Sequence, residues 1–281
     1  MIPSIADTVQ LRLGELSPVE RKLARVLLER YPSAGLETLA QWAQQAGVSS
    51  PSVLRLVQKL GFDSFPLFQD ALRRELQERL QSPLERHRSA TSPAQDQPFL
   101  QGYADRLARC LQDTARLTPP QDFADVAQAL ADPRRQILLV GGRLTHALAT
   151  YMAQLLRQLR PQVQLLSPAA HDWAADIASL RRGDVVVVFD IRRYNEALLP
   201  LAQQSADRRA RVVLLTDPWR SPVSPHAWRI LVGHTTGESG WDSIAGLLLL
   251  VDALVAALGQ SHWDALQERI QQIESVRQQT G

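Results

Sequence analysis

Cysteine and lysine are nearly missing from this 281-residue chain: Cys110 is the single cysteine, and 29 of the 31 cationic residues are arginine. One cysteine excludes a disulfide framework and a cysteine-based zinc finger. Long apolar runs are absent too. The most hydrophobic stretch, residues 244–258, carries Asp252 and falls short of the ~20 residues that a bilayer demands. The opening MIPSIADTVQLRLGEL has an acid at Asp7 and no cationic segment leading into an apolar one, so no signal peptide is expected, and a cytoplasmic protein without a membrane partner is. A dominant charge is also lacking. With Lys+Arg 31 against Asp+Glu 29 the net charge is +2, which neither announces nor excludes a polyanionic partner. A 45% hydrophobic content supplies real cores, and the length suggests about two domains.

The distribution of charge says more than its total. Residues 1–90 hold 12 basic and 10 acidic side chains, and the remaining 191 residues hold 19 of each, so the first third carries the whole excess. Between Glu37 and Asp63 no carboxylate occurs, while Arg55 and Lys59 do. An acid-free surface is one a polyanion can approach. Chance in an arginine-rich composition is the competing explanation.

Residues 1–80 read as short helices. Ser17-Pro18-Val19-Glu20 has capping-box form and opens an amphipathic run carrying Leu23, Val26 and Leu27 on one face. A second helix is expected over 36–46, ending at Gly47, and a third after Ser49 to about 60, ending at Gly61. Residues 81–98 lose apolar periodicity and form a candidate linker. Helices over 99–117 and 123–130 come next. Beyond Pro133, strands (137–140, 163–166, 185–189, 212–216, 228–232) alternate with helices, and the last two helices are expected over 241–258 and 262–278. The strands are continuously apolar, as when both faces of a parallel sheet are covered. The expected architecture is an all-α helix-turn-helix domain (1–80), a linker (81–98) and a doubly wound parallel-sheet α/β domain (99–281), whose ligand crevice lies at the carboxyl ends of the strands.

The segment 39–56 has the ingredients of a helix-turn-helix. Ala43 is the small residue at the helix crossing, Gly47 can take positive φ in the turn, and Val48, Val53 and Leu56 lock the second helix on the first. Ser49 is placed to cap that second helix. If it enters a major groove, Ser50, Ser52, Arg55, Gln58 and Lys59 are its polar side chains, with Arg55 suited to guanine and Lys59 and the serines to phosphate oxygens. A helical hairpin in an unrelated bundle, with Gly47 as a plain C-cap, is the alternative.

The run LSPVERKLARVLLERYPSAGLETLAQWAQQAGVSSPSVLRLVQKLGFDSFPLF resembles the N-terminal domain of RpiR-type bacterial transcriptional regulators, and the α/β half resembles the SIS (sugar isomerase) domain they carry. The resemblance implies a regulator that binds a double-stranded DNA operator as a homodimer or homotetramer and senses a small molecule, often a phosphosugar or other carbohydrate derivative. It also locates the ligand site. The family's Gly-x-Gly-x-Ser turn after the first strand corresponds to Gly141-Gly142-Arg143-Leu144-Thr145, where Arg143 replaces the second glycine and Thr145 keeps the hydroxyl. The Ser-x-Ser-Gly-x-Thr phosphate loop corresponds to Asp190-Ile191-Arg192-Arg193-Tyr194-Asn195, which loses every phosphate-cradling hydroxyl and puts Arg193 at the glycine. Thr216 stands at the end of the fourth strand. Arg143, Arg192 and Arg193 would then clamp an anion, and Asp190 would take a ligand hydroxyl or amine, or neutralise an arginine. The alternatives are a plugged site whose ion pairs are internal, and an α/β half that only dimerises the chain.

His171-Asp172, His234 and Glu238 invite an isomerase reading, because His and Glu serve as acid and base in SIS enzymes. Nothing in the sequence places them together. No catalytic residue, metal or cofactor is assigned, and Cys110 is read as a small core residue.

Overall fold

A computed structural model describes residues 4–80, 98–235, 241–261 and 263–280. The stretch 81–97, most of the candidate linker, and Glu238 lie outside them. The chain forms two compact units, one built on Met1–Asp96 and the other on Gln97–Asp217 with most of the remaining C-terminal residues.

The first unit is helical: α1 (Ile5–Arg12), α2 (Pro18–Glu29), α3 (Ser33–Leu36), α4 (Leu39–Gln45), α5 (Ser50–Lys59) and α6 (Phe65–Leu80). The Ser17/Glu20 capping box forms as expected. The helix expected over 36–46 begins only at Leu39, and Leu36 instead ends the separate short α3. Thr38 takes the amide of Gln41 on its hydroxyl while the Gln41 side chain reaches back to the Thr38 amide, so a second capping box starts α4 afresh. Leu23, Leu27, Trp42, Val53, Leu56 and Phe68 are fully buried around one centre. The Trp42 ring stacks on Phe68 at 5.6 Å, and its indole N–H donates to the Leu23 carbonyl at 3.3 Å, so the one polar atom of this large core side chain is satisfied.

The second unit opens with α7 (Phe99–Leu117) and α8 (Pro120–Ala131). Then come β1 (Ile137–Gly141), α9 (His146–Leu159), β2 (Val163–Leu165), α10 (Ala174–Ser179), β3 (Val185–Asp190), α11 (Leu198–Asp207), β4 (Arg211–Thr216) and β5 (Arg229–Val232). Finally α12 (Ala245–Ser261) and α13 (Trp263–Thr280) end the chain. All strand pairs are parallel and the order is β2-β1-β3-β4-β5. Alternate residues serve opposite faces. Ile137, Leu139, Val187 and Leu215 pack under α8, α9 and α12, whereas Leu138, Val140, Val186 and Leu214 pack under α10 and α11. This double coverage is why the strands read as unbroken apolar runs.

The expected helix from residue 241 begins only at Ala245. The Ser243 hydroxyl accepts from the Ala245 amide, and Asp242 is drawn away into an ion pair with Arg192. No helix among the described residues is long and apolar enough to cross a membrane.

Candidate functional site

The helix-turn-helix is assembled as its spacing suggests. Ala43 is buried at the crossing, Gly47 has φ +62°, and Val53 and Leu56 are fully buried beneath α5. A left-handed turn residue costs glycine nothing and would strain a side-chain-bearing one.

The polar residues of α5 divide differently from expectation. Ser49 occupies the N-cap position, but its hydroxyl lies 3.0 Å from the Ser52 hydroxyl and bonds no helix amide. Ser52 is buried, so it is not a groove contact. It accepts from Arg55 Nη2 at 2.9 Å, forming a Ser49–Ser52–Arg55 string along one helix edge that steadies the arginine. Lys59 is also engaged, donating to the Glu15 carbonyl at 2.8 Å and pairing with Glu20 at 3.1 Å, which ties the end of α5 to the start of α2. Burial would raise the Glu20 carboxyl; the Ser17 amide and Lys59 outweigh it and hold the group below its ordinary value. The exposed face of α5 is therefore Pro51, Leu54, Arg55 and Gln58, with Ser50 half-buried. Pro51 and Leu54 are additions that a search for polar residues overlooks.

The second candidate lies where β1 and β3 end side by side, the point at which the strand order reverses and an α/β sheet opens a crevice. Gly141 must be glycine, because a Cβ there would stand 2.6 Å from the His146 nitrogen and the Thr145 carbonyl. Around Gly142, a Cβ would meet Thr145, Asn195 and Asp190 at 3.5 to 3.8 Å, so the turn after β1 and the loop after β3 converge.

Several expected ligand contacts are already committed to the protein. The Thr145 hydroxyl donates to the Phe189 carbonyl at 2.7 Å, and the Thr216 hydroxyl to the Asp190 carbonyl at 2.6 Å. Asp190 is buried and accepts from the Asn195 amide at 3.1 Å and from the Ser221 hydroxyl. The Arg192 guanidinium is buried against Asp242, while its amide and the Tyr194 hydroxyl both donate to Asp217. Of three expected clamp arginines, Arg192 is thus an internal ion-pair member. Arg143 and Arg193 remain exposed at the ends of adjacent strands. Arg193 holds φ +63°, so the backbone keeps the glycine-type conformation although the glycine is gone. Asn195 starts α11 by accepting from the Ala197 amide at 3.1 Å.

The residues that invite an isomerase reading are not brought together. His171 is exposed beyond β2 and His234 is buried beyond β5, at opposite edges of the sheet, which four strand spacings put about 19 Å apart. Cys110 is buried beside His234, donating to its carbonyl at 3.3 Å, and burial pushes its thiol up.

Fold and sites together define a two-domain protein, a helix-turn-helix module followed by a sugar-isomerase-type α/β domain. Residues 4–79 match the helix-turn-helix domain of the rpiR family and residues 129–257 match the SIS domain, which makes the chain an RpiR-type protein. A 63-residue stretch is 36% identical to the HTH-type transcriptional regulator HexR of Pseudomonas aeruginosa, and the likeness spans 22% of each chain. The sugar isomerase domain of an RpiR transcription factor from Sphaerobacter thermophilus is similar in structure, with a TM-score of 0.60 and 21% identity over 64% of this chain and 99% of that one. NanR of Vibrio vulnificus, solved as a complex with ManNAc-6P, has a TM-score of 0.55 and 22% identity over 96% of this chain and 97% of that one. At such identities these two structures speak for the fold.

Proposed function

We propose that this protein is a cytoplasmic, non-enzymatic transcriptional regulator. It binds a double-stranded DNA operator through α5, as a homodimer or homotetramer, and responds to a small anion in the crevice between β1 and β3. The observation that carries the reading is the exposed face of α5. It holds a steadied arginine, a glutamine and two apolar groups with no carboxylate, on a helix locked into a helix-turn-helix. In a major groove, Arg55 suits the O6/N7 edge of guanine, Gln58 an adenine edge, and Leu54 a thymine methyl. Ser49 and Ser50, at the helix start, suit phosphate oxygens. Selection from a pool of random duplexes tests this directly. A motif with two half-sites about 34 Å or a multiple apart is expected, and recovery of no motif would contradict it.

Within the crevice, Arg143 and Arg193 flank the turn at the start of α9 and suit a phosphate or carboxylate. The neutral-hydroxyl cradle of a typical phosphosugar site is not available, since the Thr145 and Thr216 hydroxyls serve the backbone and Arg192 serves Asp242. A metabolite screen by thermal shift separates sensing from mere dimerisation. A true effector at ~100 times its Kd adds about 2.7 kcal/mol, and a silent screen favours a dimerisation module.

A further inference from the structure

The amino ends of the strands, opposite the crevice, carry a repeated sequence feature. An arginine pair precedes each of the three central strands: Arg134–Arg135 before β1, Arg181–Arg182 before β3 and Arg208–Arg209 before β4. Because Ile137 pairs with Val185 and Val185 with Arg211, the parallel register sets the three pairs in one row. The row is knit together by hydrogen bonds to its backbone carbonyls. Arg135 Nη1 donates to the Arg182 carbonyl at 2.8 Å, and the Gly183 amide to the Arg209 carbonyl at 3.0 Å. Strands about 4.8 Å apart place the outer pairs about 10 Å from each other.

Few acids answer this row. Asp132 pairs with both Arg134 and Arg135. Asp184 is buried, its two oxygens on the amides of Gln136 and Arg181. Arg181, Arg182, Arg208 and Arg209 are exposed and make no ion pair among the described residues. The 191 residues after position 90 balance 19 basic against 19 acidic side chains, so this row is a local concentration within a neutral whole. An open cleft of about 560 Å³ beside it is lined by Arg134, Arg181, Gln136, Gln164 and neighbours, all polar but Val163.

We propose that this arginine row is a second, sequence-independent contact with the phosphate backbone of duplex DNA. The row is too long for one phosphate group, which two arginines saturate, and its repetition matches a polyanion whose charges recur every few ångströms. Guanidinium groups grip phosphate in two-point fashion, and none of the six is a lysine. The inference rests on the DNA-binding reading of α5 and adds a contact made by the other unit.

The test compares the full-length protein with the quadruple variant R181A/R182A/R208A/R209A and with its lysine counterpart. Affinity for a labelled duplex is followed by fluorescence anisotropy over about 50 to 200 mM salt. The slope of log affinity against log salt should fall by roughly 0.9 for each phosphate no longer neutralised, up to about 3.6 for the four arginines, in the alanine variant and stay near wild type in the lysine variant. Sequence preference should be unchanged in both. A wild-type slope in the alanine variant overturns the inference and leaves the α5 reading standing, whereas no duplex binding by the wild-type protein overturns both. Titration with inorganic pyrophosphate supplies the remaining arm. Saturable binding that the alanine variant loses, with the DNA slope unmoved, would assign the row to a small anion and overturn the DNA assignment.

Discussion

Arg193 sits at φ +63° with an exposed side chain, a conformation that costs a non-glycine residue of order 1–3 kcal/mol. Such strain persists where the surrounding structure over-determines it, and under the proposed function Arg193 would serve an anion at the mouth of the crevice. Arg193→Gly should therefore raise the stability of the α/β unit by about 1 kcal/mol in urea denaturation while weakening any anionic effector. Unchanged or lowered stability would show that the loop gains nothing from glycine. At this scale the sequence is only partly legible. The family resemblance sets Arg143, Arg192 and Arg193 at the two ligand loops, but cannot tell that Asp242, 50 residues further on, reaches back to hold Arg192 at 12% side-chain exposure of its own. The same limit applies to Ser52, whose helical phase is readable from neighbours Val53 and Leu56 but whose hydroxyl partners are not.

Individual elements depend on polar contacts that hydropathy does not reveal. Arg160 at the end of α9 is buried, and its guanidinium donates to the carbonyls of Leu130, Arg135 and Pro161, closing the end of α8 and the lead into β1. Its pKa is lowered by burial, with Asp132 opposing weakly. Arg160→Met leaves those buried carbonyls without their donor and should destabilise the α/β unit by about 2–4 kcal/mol, seen as a lower urea midpoint for that unit alone. Asp132, in the same lead-in, is held down to about 2, chiefly by the bond from Arg134. A carboxyl lowered in the folded state contributes stability above its unfolded value near 4 and loses it as pH falls toward about 2. Asp132→Asn should accordingly flatten the acid limb of thermal stability between about pH 4 and pH 2, and a limb of unaltered steepness would deny Asp132 that role. Helix boundaries show the same pattern. Apolar periodicity runs through Glu37 and Thr38 and suggests one helix, yet the Thr38 and Gln41 side chains claim the local amides and start a new one.

For the molecule as a whole, a net charge of +2 hides two separate cationic features. One is the acid-free face of α5; the other is the row at the amino ends of β1, β3 and β4. The class of fold is legible from sequence because unbroken apolar strands alternate with amphipathic helices, which admits few arrangements besides a covered parallel sheet. The row is not legible that way, since residues 134, 181 and 208 are far apart in the chain and become neighbours only through strand order. If α5 reads DNA, Arg55 supplies much of the reading, and the affinity of wild type and Arg55→Ala for a selected operator and for a scrambled duplex, at one salt concentration, measures that share. Removing a bidentate guanine contact, worth ~1–3 kcal/mol, predicts roughly a 5- to 150-fold weaker grip on the operator with little change on the scrambled duplex. Equal weakening on both would contradict base reading by α5, because it would reduce Arg55 to a phosphate contact.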